Sequence, residues 1–87
     1  MKTYTINKGF ITQKLDGKTT IFDSEKSVLY TFNETASLVF QKLKMGKSTE
    51  EIIISFMKKY GIPKEKAKKD IIELLKDLLL KKIISKL

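Results

Sequence analysis

Apolar and polar positions alternate over the first third of the chain and recur at helical spacing over the rest. Phe10-Ile11-Thr12-Gln13-Lys14-Leu15 and Lys18-Thr19-Thr20-Ile21-Phe22-Asp23 flank the pair Asp16-Gly17. Asp-Gly between two β-prone runs is the strongest short hairpin signal, because a type I′ turn needs positive φ at both central positions. After the polar link Asp23-Ser24-Glu25-Lys26, residues Ser27 to Phe32 read as a third strand. Val28, Tyr30 and Phe32 share one of its faces, and Leu29 and Thr31 the other. The short links imply an antiparallel meander with the third strand at one edge. Tyr4 to Ile6 either extends the first strand or forms a short strand of its own.

From Asn33 the period changes. Asn33 is a good N-cap, able to accept a free backbone N–H of the first helical turn. Ala36, Leu38, Val39, Phe40 and Leu43 then follow in a helical pattern to about Met45, where Gly46 stops it. Ser48-Thr49-Glu50-Glu51 fits a capping box, with Ser48 as cap and Glu51 three residues on. The second helix carries Ile52, Ile53, Phe56 and Met57 to about Tyr60, and Gly61 suits the left-handed position that follows. Pro63 opens a third helix at a place where its missing N–H costs nothing.

The third helix, read as Pro63 to Lys82, has two apolar stripes. Ala67, Ile71, Leu74, Leu75 and Leu78 form a normal core face. Ile72, Leu79 and Ile83 form a second stripe displaced by about 100°, bordered by Lys68, Lys69 and Lys76. Such a wide arc suits either a helix wedged between the sheet and the other helices or a Lys-fringed wall facing a partner. Asp70, Glu73 and Asp77 lie along one side, where Lys66, Lys69 and Lys81 can pair with them, so a solvated charged face is expected rather than a cation site.

Length and composition limit the chemistry. Eighty-seven residues imply a single domain, 1–87, with a small core. His and Cys are both absent, which removes the commonest catalytic bases, nucleophiles and metal ligands. No catalytic residue, metal site or cofactor is expected, and no Gly-rich phosphate loop or internal repeat is present. No apolar run approaches the roughly 20 residues that span a bilayer. Residues Met1 to Lys8 carry charge but no apolar signal core, so a cytoplasmic protein without membrane association is expected. The formal net charge is +8, and all 18 basic residues are Lys. A basic surface attracts polyanions, yet base readout in DNA leans on the bidentate fork of Arg, which Lys lacks.

In order and spacing, Asp23, Phe32-Asn33, Thr35-Ala36, Gly46, Ser48 to Glu51, Tyr60, Asp70 and Leu74 to Leu78 resemble the PqqD-like family. These are the peptide-recognition modules (RiPP recognition elements) of ribosomal peptide natural-product biosynthesis. The resemblance runs from about Phe10 to Ile84. Phe32 stands where the family usually has Leu, and Lys82 where it usually has Gly. The resemblance implies an α+β, winged helix-turn-helix-like fold in which a three-stranded antiparallel sheet precedes three helices. It implies a non-catalytic module that captures the leader of a precursor peptide as an extra strand beside the third strand, over a groove against the third helix. It also implies a maturation enzyme as second partner (a radical-SAM enzyme, a protease or a cyclase), with the module a monomer or weak dimer.

The residues support that role in their own terms. An edge strand offers unpaired N–H and C=O groups at Ser27, Val28, Leu29, Tyr30 and Thr31, and strand addition draws affinity from such groups and specificity from side-chain pockets. Ile72 and Leu79 are the candidate pocket walls, and Lys68 and Lys76 the candidate partners for acidic leader residues. The alternative is a nucleic-acid-binding winged helix, since the second and third helices join through a tight turn containing Gly. Against it, the strands precede the helices and Arg is absent, so specific nucleic-acid binding is not expected.

Overall fold

The computed structural model describes residues 3–16 and 18–87. The elements are β1 (Tyr4–Ile6), β2 (Phe10–Leu15), β3 (Lys18–Asp23), β4 (Val28–Phe32), α1 (Glu34–Lys44), α2 (Thr49–Tyr60), α3 (Lys64–Leu80) and β5 (Ile84–Lys86). β2, β3 and β4 form the expected antiparallel meander, in that spatial order. Phe10 lies opposite Asp23 across β2 and β3, and Asp23 opposite Val28 across β3 and β4. Asp16 has φ of +52°, as a type I′ turn requires; Gly17, the other half of that expected turn, lies outside the described residues.

Local hydrogen bonds account for where the elements begin and end. Asp23 is buried, and its Oδ1 accepts the backbone N–H groups of Glu25 (3.0 Å) and Lys26 (3.1 Å). This ties the β3–β4 turn to the end of β3, the type of local bond that Asp favours in turns. Ser27 falls in that turn at φ +55° rather than in the strand, so the edge strand starts one residue later than its β-prone sequence suggests. Asn33 caps α1 by accepting the Ala36 N–H at 2.8 Å. Ser48 and Glu51 form the reciprocal capping box, at 3.3 Å and 3.1 Å. Pro63 sits at the N-cap of α3, one place before its expected position, and supplies no side-chain cap bond.

The C-terminus departs furthest from the sequence reading. α3 stops at Leu80, and Lys82 takes φ of +59°. Ile83 N–H then donates to Leu78 C=O and Lys82 N–H to Leu79 C=O, both at 3.0 Å. These are the two bonds of a Schellman cap, with Lys82 at the position that normally favours Gly. Ile83 is therefore not part of a helical stripe. It turns inward and is fully buried, followed by buried Ile84.

β5 pairs antiparallel with β1, making a second, two-stranded sheet that joins the chain's ends. Asn7 locks the junction. Its backbone N–H donates to Ile83 C=O (2.9 Å), its Nδ2 donates to Lys82 C=O (2.7 Å), and its Oδ1 accepts from Ser85 Oγ (2.7 Å). Tyr4 to Ile6 is thus a separate strand. One core runs through the molecule, centred on Ile21, Val39, Phe40, Ile52, Ile71, Leu78 and Ile83. Phe32 and Phe40 meet edge to face in it, with centroids 5.6 Å apart.

Candidate functional site

β4 pairs with β3 on one side only and is an edge of the meander. Which of its backbone groups are free follows from the ladder. Ser24 N–H donates to Gly9 C=O across the Phe10–Asp23 pair. A bond between the residues flanking a pair marks that pair as the non-hydrogen-bonded kind, and the two kinds alternate along an antiparallel ladder. Phe22 and Thr20 therefore bond to β2, while Asp23, Ile21 and Thr19 turn their backbone groups toward β4. Their partners in register are Val28, Tyr30 and Phe32. Leu29 and Thr31 are left with N–H and C=O directed at the open edge.

The last rung of this row is closed by a side chain. Thr19 N–H donates to Ser37 Oγ at 2.9 Å, and Ser37 Oγ–H in turn donates to Phe32 C=O at 3.4 Å. The buried Ser37 thus bolts α1 to the end of the β3–β4 pair.

The two faces of β4 differ. Phe32 is buried and Tyr30 partly so, on the helix side, while Val28 is exposed where the strand begins. On the opposite face Leu29 is 62% exposed. It stands in register with Phe22, which stands in register with the exposed Ile11, so an apolar row crosses the open side of the sheet. Just past the C-terminal end of α3, the C-cap Lys81 reaches the helix side of β4. Lys81 Nζ lies 5.7 Å from the centre of the Tyr30 ring and also forms an ion pair with Asp77.

That contact identifies the flank of α3 that neighbours β4. Ile72 and Lys81 are nine residues apart, about 180° around a helix, so Ile72 points away from Tyr30. Leu74 is partly buried and lies within about 20° of Lys81, and so shares its flank. The candidate residues of the third helix therefore divide from those of the third strand. Lys68, Ile72, Lys76 and Leu79 do come together, but around a groove that they share with Tyr4, Ile53 and Lys86 and that has no lining residue from β4 among the described residues. Val28, Leu29, Tyr30 and Thr31 form the strand edge, with Ser27 in the turn before it. The sequence reading placed Leu74 in the core stripe and Lys81 beside the acidic face, and singled out neither as a neighbour of the strand. The only sequence signal for them was their shared helical face.

Some charged groups away from β4 have structural partners. Lys66 pairs with Asp70 at 3.5 Å and Lys47 with Glu51 at 3.8 Å. The Ser48 backbone N–H, then the Ser48 hydroxyl, holds the Glu51 carboxyl below the usual glutamate range, because both bonds favour the ionised form. Among the described residues there is no His, Cys, Asp and Glu cluster able to hold a metal ion, and no helix long and apolar enough to cross a membrane.

A three-stranded antiparallel meander feeding three helices, with the last strand of the meander left open beside the last helix, defines a winged helix-turn-helix-like α+β module. Residues 18–84 match the family of coenzyme PQQ synthesis protein D (PqqD), and the chain belongs to that family. Two solved structures are similar over almost the whole chain. One is TbiB1 in complex with the TbiA(beta) leader peptide, with a TM-score of 0.89 and 17% identity, covering 93% of this chain and 94% of that one. The other is a lasso peptide synthetase B1 complexed with the leader peptide, with a TM-score of 0.88 and 20% identity, covering 94% of this chain and 96% of that one. No curated protein sequence matches the chain.

Proposed function

We propose that this chain is a non-catalytic leader-binding module. It takes up the leader of a ribosomally made precursor peptide as a fourth strand on β4 and presents it to a maturation enzyme. The observation that carries this reading is the pair of outward-facing backbone sites at Leu29 and Thr31 on an edge strand, within a fold shared with two solved structures that hold leader peptides. Strand addition needs such groups for affinity and alternating side-chain environments for specificity.

Both environments exist here. Leader residues on one face of the added strand meet Val28, Tyr30 and the Leu74–Lys81 flank of α3. Those on the other face extend the row Ile11, Phe22 and Leu29. A leader with apolar side chains at alternate positions on both faces fits this edge. PqqD-family membership, the absence of His and Cys, and the leader-bound relatives support a binding role rather than catalysis. Work in the cytoplasm is part of this proposal; among the described residues no helix is long and apolar enough to cross a membrane.

Amide hydrogen exchange with and without a bound leader tests the placement. Leu29 and Thr31 gain protection, while Val28 and Tyr30, which already face β3, change little. Protection of Thr12 and Lys14 instead, the outward-facing sites of β2 by the same alternation, would move the leader to the other edge and overturn the proposal.

A further inference from the structure

The groove on the far flank of α3 has no part in strand addition at β4. Its volume is about 550 Å³, and it lies between the start of α2, the length of α3 and the β1–β5 pair. Ile53, Ile72, Leu75 and Leu79 make its apolar surface, and Tyr4 also lines it. Ile53 is nearly covered, but Ile72 and Leu79 are only partly buried. Lys64, Lys68, Lys76 and Lys86 stand around it, all exposed, against the single carboxylate of Glu50. The ion pairs among the described residues use Lys47, Lys59, Lys66 and Lys81. The four lysines of the groove are thus uncommitted, and Glu50 neutralises at most one of them.

We infer that this groove is a docking site for a second protein, through an acidic amphipathic helical segment. Charge complementarity selects the occupant. Four unpaired cations around an apolar floor favour apolar anchors flanked by Asp or Glu. The two long walls favour a helix over a strand: α2 and α3 bond their own backbone groups along their length, and β1 and β5 reach the groove only through Tyr4 and Lys86, which suits the helix-in-groove mode with anchors at i, i+3/i+4 and i+7. Position excludes the leader strand. Ile72 points about 180° away from the α3 flank that neighbours β4, so a strand on β4 does not enter the groove. The module then has two faces, one for a strand and one for a helix, and both can be filled together.

The test titrates the ¹⁵N-labelled protein with a synthetic helical peptide carrying Leu on one face and Glu on the other. Two controls accompany it: the same peptide with Lys for Glu, and poly-glutamate, which has charge but no apolar anchors. The expected result is amide shifts at Ile53, Ile72 and Leu79 with the Leu/Glu peptide and with neither control. The double variant Lys68→Glu with Lys76→Glu should bind that peptide at least about tenfold more weakly, since rim charges act on encounter and register. Where circular dichroism finds that variant misfolded, the pair Lys64→Glu with Lys86→Glu gives the same readout. The variant Leu29→Pro, altered only at the strand edge, should bind the Leu/Glu peptide as the parent does. Three results would overturn the inference: no binding of the Leu/Glu peptide, equal binding of poly-glutamate with shifts confined to lysines, or shifts at Leu29 and Thr31 in place of the groove.

Discussion

Replacing Leu29 by proline separates the proposed strand-addition site from the fold that carries it. The Leu29 N–H points to the open edge of β4, so its removal takes no bond from the β3–β4 ladder. Proline is tolerated on edge strands where the N–H faces solvent, and it holds the preceding Val28 in the extended region that a strand already uses. The Leu29 side chain is 62% exposed and contributes little to the core. Stability should therefore fall by no more than about 1–2 kcal/mol, well within the margin of a small domain.

Binding should suffer far more. The variant loses one backbone hydrogen bond to the leader, a net contribution of about 0.5–1.5 kcal/mol, and leaves a leader carbonyl facing a ring methylene, which costs about 1–3 kcal/mol. A combined loss of about 2–4 kcal/mol corresponds to a roughly 30- to 900-fold weaker Kd. Fluorescence anisotropy with a labelled candidate leader peptide measures the affinity, and circular dichroism the fold. Tyr30→Pro is the matching control. It removes an N–H that faces β3 and should destabilise by about 3 kcal/mol or more. A folded Leu29→Pro protein with unchanged leader affinity, or a Leu29→Pro protein as unstable as Tyr30→Pro, would refute the assignment of the outward-facing groups.

Further outcomes follow from other parts of the structure. Lys82→Gly relieves the left-handed backbone at φ +59° in the cap of α3 and should stabilise by about 0.5–1 kcal/mol; a lower melting temperature would contradict the cap as described. Leu78→Ala empties a fully buried site and should cost about 2–5 kcal/mol in urea unfolding, with a smaller loss arguing against its place in the core. Because the Glu51 carboxyl is held below its ordinary range, its contribution to stability is complete above the unfolded value of about 4.3. That contribution is lost as pH falls through the lower folded value, so Glu51→Gln should lose stability at pH 7 and flatten the acid limb; an unaltered acid limb would speak against the capping box. Duplex DNA should bind weakly and release steeply with salt, as Lys-phosphate contacts do, whereas sequence-dependent binding at physiological salt would favour the nucleic-acid reading.

Local chemistry was enough to read most of the fold. The caps at Asn33 and Ser48, the stops at Gly46 and Gly61, and the strand pattern around Asp16 all rest on bonds that span a few residues, so their signals lie in adjacent letters of the sequence. The core stripe of α3 was legible for the same reason, because a helix repeats its own geometry. β5 was not legible. Ile84-Ser85-Lys86 is too short to carry a period, and its partner is β1 at the other end of the chain, tied in by an Asn7–Ser85 bond across 78 residues. Lys82 at a left-handed position was also hidden, since only the inward turn of Ile83 and Ile84 requires it.

The site shows the same division. An edge strand at residues 28–32 could be inferred from the meander, and the resemblance to a leader-binding family pointed to it. The outward direction of Leu29 and Thr31 required the register with β3, which no single strand contains. The sequence of α3 also placed Ile72, Leu79, Lys68 and Lys76 on one flank, but it put Leu74 in the core stripe, not beside Lys81 on the other flank. A helical wheel states the angle between two flanks but not which of them the sheet takes. Packing decided it: with Ala67, Ile71, Leu75 and Leu78 buried in the core, Lys81 lies over Tyr30 beside β4, and Ile72 and Leu79 are left to line a separate, lysine-rimmed groove.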